Sequence, residues 1–186
     1  MCGQYIPLDY DEFDKCAWAL AGSRAEPRGG EPHDVIYPSQ TGDIISRNGA
    51  EKGIFGMKLS GGALVINARI EGLASSRMFA PLLEKGRCVV PASAYFEWMK
   101  NGRQRSKYRL FDVNGDPLFF AGLLREGRFV IITADAAPEI REIHPRMPRC
   151  LTADEAEKWL FEPPSCVHGM IEGGQSVSIA ATPVRA

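Results

Sequence analysis

The apolar positions along this chain fall into a few helical stretches and many short runs of strand-like spacing. Phe13, Ala17 and Leu20 recur at helical spacing behind Asp9, a good capping residue, which predicts a helix from about Asp9 to Leu20. The next stretch, "GSRAEPRGGEP", is rich in Gly and Pro and reads as a surface loop, the part of the chain expected to be disordered. Four runs follow, "DVIYP", "GDIIS", "KGIFGMKL" and "ALVINARI", β-branched and broken by Gly or Pro, and they predict strands. "SSRMFAPLLEKG" fits a short helix with Pro81 awkwardly in its middle and Gly86 at its end. Four further strands are predicted at "RCVVPASAYFEWMK", "RSKYRLFD", "PLFFAGLL" and "RFVIITAD". "NGRQ" joins the first to the second, and "VNGD" joins the second to the third, its Asn-Gly being a strong hairpin signal. "TADEAEKWL" is the clearest helix, with Thr152 and Glu155 spaced as a capping box and "PP" at 163–164 as its stop. "SVSIAATPV" reads as a last strand. Strands outnumber helices and hairpins outnumber βαβ units, so the class is α+β with largely antiparallel sheets.

Composition narrows the picture. At 186 residues, 45% hydrophobic and 24% charged, the chain is expected to form a single soluble domain over 1–186. It has no apolar run of a length that spans a bilayer and no basic-then-apolar leader, so a cytoplasmic, membrane-free protein is expected. Five cysteines, an odd number, with no CxxC pair argue against a disulfide scaffold. With only His33, His144 and His168 as imidazoles, neither a metal site nor a cofactor is expected. The net charge of −1 does not mark a nucleic-acid binder, yet no acid lies between Glu97 and Asp112 while Lys100, Arg103, Arg105, Lys107 and Arg109 do. In an extended segment Arg103, Arg105, Lys107 and Arg109 share one face, which is either a solvated, charge-protected strand or a phosphate-binding one.

Four places carry candidate chemistry. The chain starts "MCGQY", and a second residue as small as cysteine permits removal of Met1. Cys2 would then bear a thiol of ordinary pKa about 8.5 and an α-amine of about 8 on adjacent carbons. Such a pair can capture an aldehyde, the amine giving an imine and the thiol closing a thiazolidine. Asn67 and Arg69 of "INAR" share a strand face; the first can orient a nucleophile or a carbonyl oxygen, the second can fork onto a phosphate. Glu97 stands between Phe96 and Trp98. Pointing inward, it is a desolvated acid–base group; pointing outward, it is a surface carboxylate and Trp98 is core. His144, in the Pro-bracketed "EIHPRMP", can move protons near neutral pH.

Taken in order, Met-Cys-Gly at the start, Asn-Ala-Arg, "GRCVVPASAYFEW", "PLFFAGL", "FVIITADA" and the "HPRMP" loop resemble the SRAP family, the SOS-response-associated peptidases or abasic-site-processing proteins. The resemblance implies a mostly antiparallel, barrel-like β core with a few flanking helices. It also implies a monomer that binds single-stranded DNA carrying abasic sites, in the cytoplasm and at the nucleoid when engaged. By the same resemblance Cys2 is the residue that crosslinks the ring-opened sugar, and Asn67 stands beside it. Glu97 assists ring opening and proton transfer, His144 serves the imine step and reversal, and Arg69 contacts phosphate. Gln4 stands where the family has a DNA-holding arginine, and Phe55-Gly56 where it has Trp-Gly. The stretch from Leu59 to Asn67 is short, and Pro145 replaces an aspartate. These departures bear on DNA engagement more than on covalent chemistry, so weaker or differently shaped binding is expected, with Gln4, Phe55, Arg69 and the basic residues Arg103, Arg105 and Lys107 as the expected DNA contacts. The same residues admit two other functions, an N-terminal-cysteine peptidase or amidohydrolase and a non-catalytic single-strand-binding module.

Overall fold

The structure, a computed structural model, describes residues 2–23, 34–59, 61–173 and 176–185. In chain order the strands are β1 (Tyr5–Pro7), β2 (Thr41–Ser46), β3 (Gly49–Phe55), β4 (Met57–Lys58), β5 (Leu64–Val65), β6 (Asn67–Arg69), β7 (Arg87–Asn101), β8 (Gln104–Asp112), β9 (Leu118–Arg125), β10 (Arg128–Asp135), β11 (Arg146–Pro148), β12 (Cys150–Leu151) and β13 (Ile179–Pro183). The helices are α1 (Tyr10–Ala21), α2 (Leu82–Lys85), α3 (Ala153–Phe161) and α4 (Pro164–Glu172), with a 3₁₀ turn at Ile70–Gly72. No helix among the described residues is long and apolar enough to cross a membrane.

Strand pairing closes on itself. β7 pairs with β9, β9 with β10, β10 with β3, β3 with β2, and β2 returns to β7. The expected α+β class is present, and the expected barrel-like core takes the form of this ring. Pairing is antiparallel except where β10 meets β3 and β6 in parallel. Period-two patterning then separates two cores. Ile44, Val90, Phe120, Phe129 and Ile131 point into the ring together with Cys2, Tyr5 and Phe55. Their chain neighbours Ile45, Val89, Ala121, Val130 and Ile132 point outward against α1 (Phe13, Ala17, Leu20) and α3 (Ala156, Trp159, Leu160). Both faces of these strands are therefore covered, which is why "CVV", "LFFAGL" and "FVII" read as unbroken apolar runs.

One irregularity re-aims the second half of β7. Its partner β1 pairs Pro7 with Ala92 but Ile6 with Ala94, so Ser93 is an extra residue and β7 bulges there. Before the bulge Cys88, Val90 and Ala92 face the ring interior; after it Tyr95 does.

The caps are as the sequence indicates. Asp9 accepts from the Glu12 amide at 2.8 Å, and Thr152 and Glu155 complete a capping box. The other end of α3 is closed by two guanidiniums. Arg47 donates to the carbonyls of Leu160 (2.5 Å) and Glu162 (3.3 Å), and the buried Arg87 donates to Glu162 O while lying over the Trp159 ring.

Other expectations are corrected. "DVIYP" contributes a single bridge, Ile36 to Tyr5, because the chain turns at once through Tyr37–Gln40. "KGIFGMKL" and "ALVINARI" each divide in two, the first at Gly56, whose φ of +103° disfavours any side chain. The helix in "SSRMFAPLLEKG" begins only after Pro81, which occupies the capping position. "PP" does not simply end α3; Pro164 opens α4, a first-turn position that costs no hydrogen bond. "VNGD" is not a hairpin. β8 and β9 lie end to end on the same edge of β7, pairing with Tyr95–Asn101 and Arg87–Ala92 respectively, and the loop between them turns on the Asp112 carboxylate. Most of the loop expected to be disordered, its residues 24–32, lies outside the described residues.

Glu155 accepts from the Thr152 amide, from Arg149 and from Ser176 at 2.9, 3.3 and 2.8 Å. Thr152→Ala is therefore expected to cost about 1 kcal/mol of unfolding free energy, since it removes one cap bond. Glu155→Ala, which removes three ties, should cost visibly more in the same urea titrations, with an unchanged slope.

A buried thiol beside a carboxylate at the N-terminus

Strand β1 brings the residues just before it inside. Tyr5 lies opposite Tyr95, and the Gln4 carbonyl accepts from the Phe96 amide at 3.0 Å. Three residues earlier Cys2 enters the ring interior, fully buried, with its thiol donating to Gln4 O at 3.8 Å. Because of the bulge at Ser93, Tyr95 and Glu97 face the same interior, and Glu97 is 2% exposed. This settles the open question about Glu97: it points inward, and Trp98 lies on the other face. Burial pushes the Cys2 thiol far above its ordinary value, and the nearby Glu97 carboxylate adds to the shift. The amino-terminal charge acts in the opposite sense, and Cys150 is a further electrostatic neighbour. Tyr95 is raised well above its usual range by burial and then by Cys150, Cys2 and Glu97. Cys2, Tyr95, Glu97 and Cys150 are thus one electrostatic neighbourhood. All five cysteines are free thiols.

Asn67 comes from another direction. β6 runs parallel to β10 with Asn67 opposite Ile131, a member of the cluster that contains Cys2. Its Nδ2 donates to Ile131 O at 3.4 Å, while its Oδ1 is buried without a partner among the described residues. The oxygens of Gln4 (Oε1), Tyr95 (Oη) and Thr133 (Oγ1) are in the same condition. Such atoms are costly in a folded interior. Arg69 shares the Asn67 face of β6 and is exposed.

His144 sits on the loop between β10 and β11; the loop packs Ala136 and Ile140, and β11 packs Met147, into the same inner cluster. Its Nδ1 lies 3.0 Å from the Arg146 amide nitrogen and 2.9 Å from the Arg146 carbonyl oxygen, so the backbone of Arg146 fixes the ring. Arg146 is itself clamped, to Glu71 at 2.5 and 3.0 Å, to Asp135 at 2.7 Å and to Thr133 O at 2.6 Å. It joins the turn after Asn67 and Arg69 to the loop that carries His144. The structure therefore gathers Cys2, Glu97 and Asn67 on the walls of one buried cluster and anchors the His144 loop against it.

The residues expected to meet DNA are distributed differently. Phe55 is fully buried, stacked on Phe129 at 5.3 Å and edge-on to Tyr5 at 5.8 Å, so it presents no ring face to a base; that expectation is corrected. Arg103 lies in the β7–β8 turn rather than on the strand face. Arg105, Lys107 and Arg109 do alternate on one face, and register places Lys107 opposite Trp98 and Arg109 opposite Phe96. Lys107 Nζ lies 3.9 Å from the Phe96 ring centroid. Glu97 pairs with Tyr108 and points the other way, so this basic face is on the far side of the sheet from Cys2. Gln4 is tied by its backbone, and its side-chain oxygen is buried. Sequence reasoning missed Tyr95 and Arg146. Tyr95 stands two residues before Glu97 on the same strand, a spacing that could have found it.

The fold and the site define an α+β protein with an N-terminal cysteine buried inside a strand ring. The SRAP family (SOS response associated peptidase) matches residues 1–186, and this chain belongs to it. It is 34% identical over 127 residues to the abasic site processing protein YedK of Escherichia coli, covering 63% of this chain and 54% of that one. It is 33% identical over 183 residues to the abasic site processing protein YobE of Bacillus subtilis, covering 86% and 82%. The chain thus spans about half the length of the first relative and most of the second. A crystal structure of a Bordetella bronchiseptica protein shares the fold, with a TM-score of 0.82 at 22% identity and full coverage of both chains.

The Arg146 clamp has a pH signature. Arg146 holds the Glu71 carboxyl below its usual range. A depressed carboxylate stabilises the fold above its unfolded value, about 4.3, and that contribution fades as pH falls from there through the lower folded value. Amide exchange at Ala136, whose N–H donates to Pro145 O, is expected to accelerate over that acid range. In Arg146→Ala it should be fast already at neutral pH and insensitive to Glu71 titration.

Proposed function

We propose that this protein captures the aldehyde of a ring-opened abasic site in single-stranded DNA through Cys2, after Met1 is removed. The observation that carries the reading is the burial of the Cys2 thiol and the Glu97 carboxylate in one interior, with Asn67 on its wall. The names of the E. coli and B. subtilis relatives support the substrate.

The order of steps follows from the electrostatics. Burial and Glu97 hold the thiol protonated, so the α-amine attacks first. Its nitrogen adds to the aldehyde carbon, and loss of water gives the imine. Sulfur then adds to the imine carbon as its proton leaves, and the nitrogen ends as the ring amine of a thiazolidine. The sum is aldehyde plus aminothiol going to thiazolidine plus one water, with no oxidant or metal. Glu97 takes and returns these protons and draws the ring-closed sugar open. Asn67 Oδ1, with accepting capacity to spare, orients the amine or a sugar hydroxyl. His144 serves imine formation and its reversal, and its loop supplies the fixed ring. Arg69 receives the adjoining phosphate. Arg103, Arg105 and Lys107 contact only a strand that passes over the hairpin tip to the far face, and they contribute salt-dependent affinity there. Gln4 offers a neutral amide in place of a cation, so affinity rests more heavily on Arg69.

Mixing the Met1-processed protein with an abasic single-stranded oligonucleotide should give a band of higher mass on a denaturing gel. Cys2→Ala should abolish it while leaving affinity for intact single strand within about threefold, since cysteine contributes no charge to the phosphate contacts. Absence of the band for the wild-type protein, under conditions where intact strand binds, would refute the reading. Intact mass should show one methionine lost and, after nuclease digestion, one adduct.

A further inference from the structure

Tyr95 has no part in the chemistry above, yet it occupies the same interior. It is fully buried, it stands two residues before Glu97 on β7, and it lies opposite Tyr5, three residues from Cys2. Its ring meets Phe120 edge-on at 5.8 Å, and Phe120 is paired with Cys150. Its hydroxyl is buried without a hydrogen-bond partner among the described residues. Phenylalanine would fill the same space without that cost, so the oxygen calls for a purpose.

The resting thiol supplies one. Cys2 Sγ donates to the Gln4 carbonyl, an arrangement suited only to the protonated form. When sulfur loses its proton to attack the imine, it changes from donor to acceptor, and the Gln4 carbonyl becomes a repulsive neighbour. We propose that the Tyr95 hydroxyl is a positioning donor for the Cys2 sulfur, receiving it as the proton leaves and turning it from Gln4 O toward the reacting carbon. No covalent bond to Tyr95 forms or breaks. The phenol keeps its proton throughout, since burial and the neighbouring Cys150, Cys2 and Glu97 all oppose its ionisation. The groups that act electrostatically on the sulfur are Glu97 from β7, Cys150 from β12 and the amino terminus. Glu97 opposes a thiolate and the amino terminus favours one, and Tyr95 adds a neutral donor that stabilises it whatever the state of Glu97. This inference rests on the reading of Cys2 as the reactive residue, but its test needs no DNA.

The measurement is the rate at which iodoacetamide alkylates Cys2 in the Met1-processed protein, mapped by peptide mass spectrometry from pH 6 to 10. A hydrogen bond to a charged acceptor is worth about tenfold or more in such a rate, because only the thiolate reacts. Tyr95→Phe is expected to slow Cys2 by about that factor and to move its pH midpoint upward, with Cys16 and Cys166 unchanged as internal references. Its thermal midpoint should equal or exceed that of the wild type, because an unsatisfied hydroxyl has been removed. In a Glu97→Gln background, where the opposing charge is gone and Cys2 is faster, Tyr95→Phe should still slow it. Superimposable pH–rate curves for Tyr95→Phe and wild type would overturn the inference. So would a thermal midpoint several degrees lower, which would make the hydroxyl structural. A wild-type protein that crosslinks abasic DNA while Tyr95→Phe alkylates normally would sink this inference alone; failure to crosslink, with the tyrosine effect intact, would sink only the proposed function.

Discussion

The placement of the candidate site depends on the pairing of a three-residue strand, Tyr5–Pro7, with the middle of β7. A strand that short has little stability of its own. What holds it is Tyr5, fully buried, edge-on to Phe55 at 5.8 Å and to Phe120 at 6.3 Å, with Phe55 stacked in turn on Phe129. The approach is tight enough that a Cβ on Gly42 would come within 2.2 Å of the Tyr5 hydroxyl. The bridge to Ile36 adds two backbone hydrogen bonds, at 3.3 and 2.8 Å. Chain termini ordinarily fray. Here the terminus is anchored by an aromatic cluster three residues downstream, so a group at position 2 has a fixed place among the side chains of β7. Phe55, which a sequence comparison would assign to DNA, serves that anchor instead.

The interior so formed is hostile to the charges that chemistry there requires. Cys2 and Glu97 are both buried, and the Glu97 carboxylate opposes an anion on Cys2. Several oxygens on the surrounding elements carry no partner, among them those of Asn67, Tyr95 and Thr133. A fold selected only for stability would replace such atoms with apolar ones of the same shape. Violations of polar satisfaction of this kind concentrate at functional sites. Outside the ring, guanidiniums are directed at carbonyls or a carboxylate, the exposed Arg47 and the buried Arg87 at the end of α3 and the buried Arg149 at Cys150 O and Glu155, and two nitrogens of Arg87 are without a partner among the described residues.

What could be read from the sequence was local. The caps of α1 and α3 lie within three residues of what they cap, and the strand runs around β7, β9 and β10 carry their own period, so both were legible. Some errors are local, as at Gly56 and Pro81, and others involve competition between distant segments. "VNGD" has hairpin chemistry, but β8 and β9 each find a better partner in β7, and β13 and β10 take their other edges. "PP" stops one helix and starts another, which only the packing of α4 decides. Phe55 sits in a run whose period allows either face. The candidate residues Cys2, Asn67, Glu97 and His144 were picked out by chemical type and by family resemblance, whereas the approach of Cys2, Glu97 and Asn67 to one interior depends on parallel pairing of β6 to β10 and on β1 reaching β7. Neither pairing has a local signature.

The bulge at Ser93 shows how narrowly the arrangement is set. In a regular strand side chains alternate strictly, so the parity that points Val90 and Ala92 inward would also point Phe96 and Trp98 inward, and Glu97 out to the basic face. One extra residue reverses the parity. Glu97 then enters the ring beside Cys2, and Phe96 and Trp98 move outside, where Lys107 lies across both rings, 3.9 and 5.4 Å from their centroids. Pairing on both edges holds the register in place, Tyr5 with Tyr95 on one side and Tyr108 with Glu97 on the other. Slipping it by one position would break both pairings and bury two large outward rings where a carboxylate now fits. The acid beside the thiol and the cation–aromatic face behind it therefore arise from a single insertion in one strand, and neither can be gained or lost without the other.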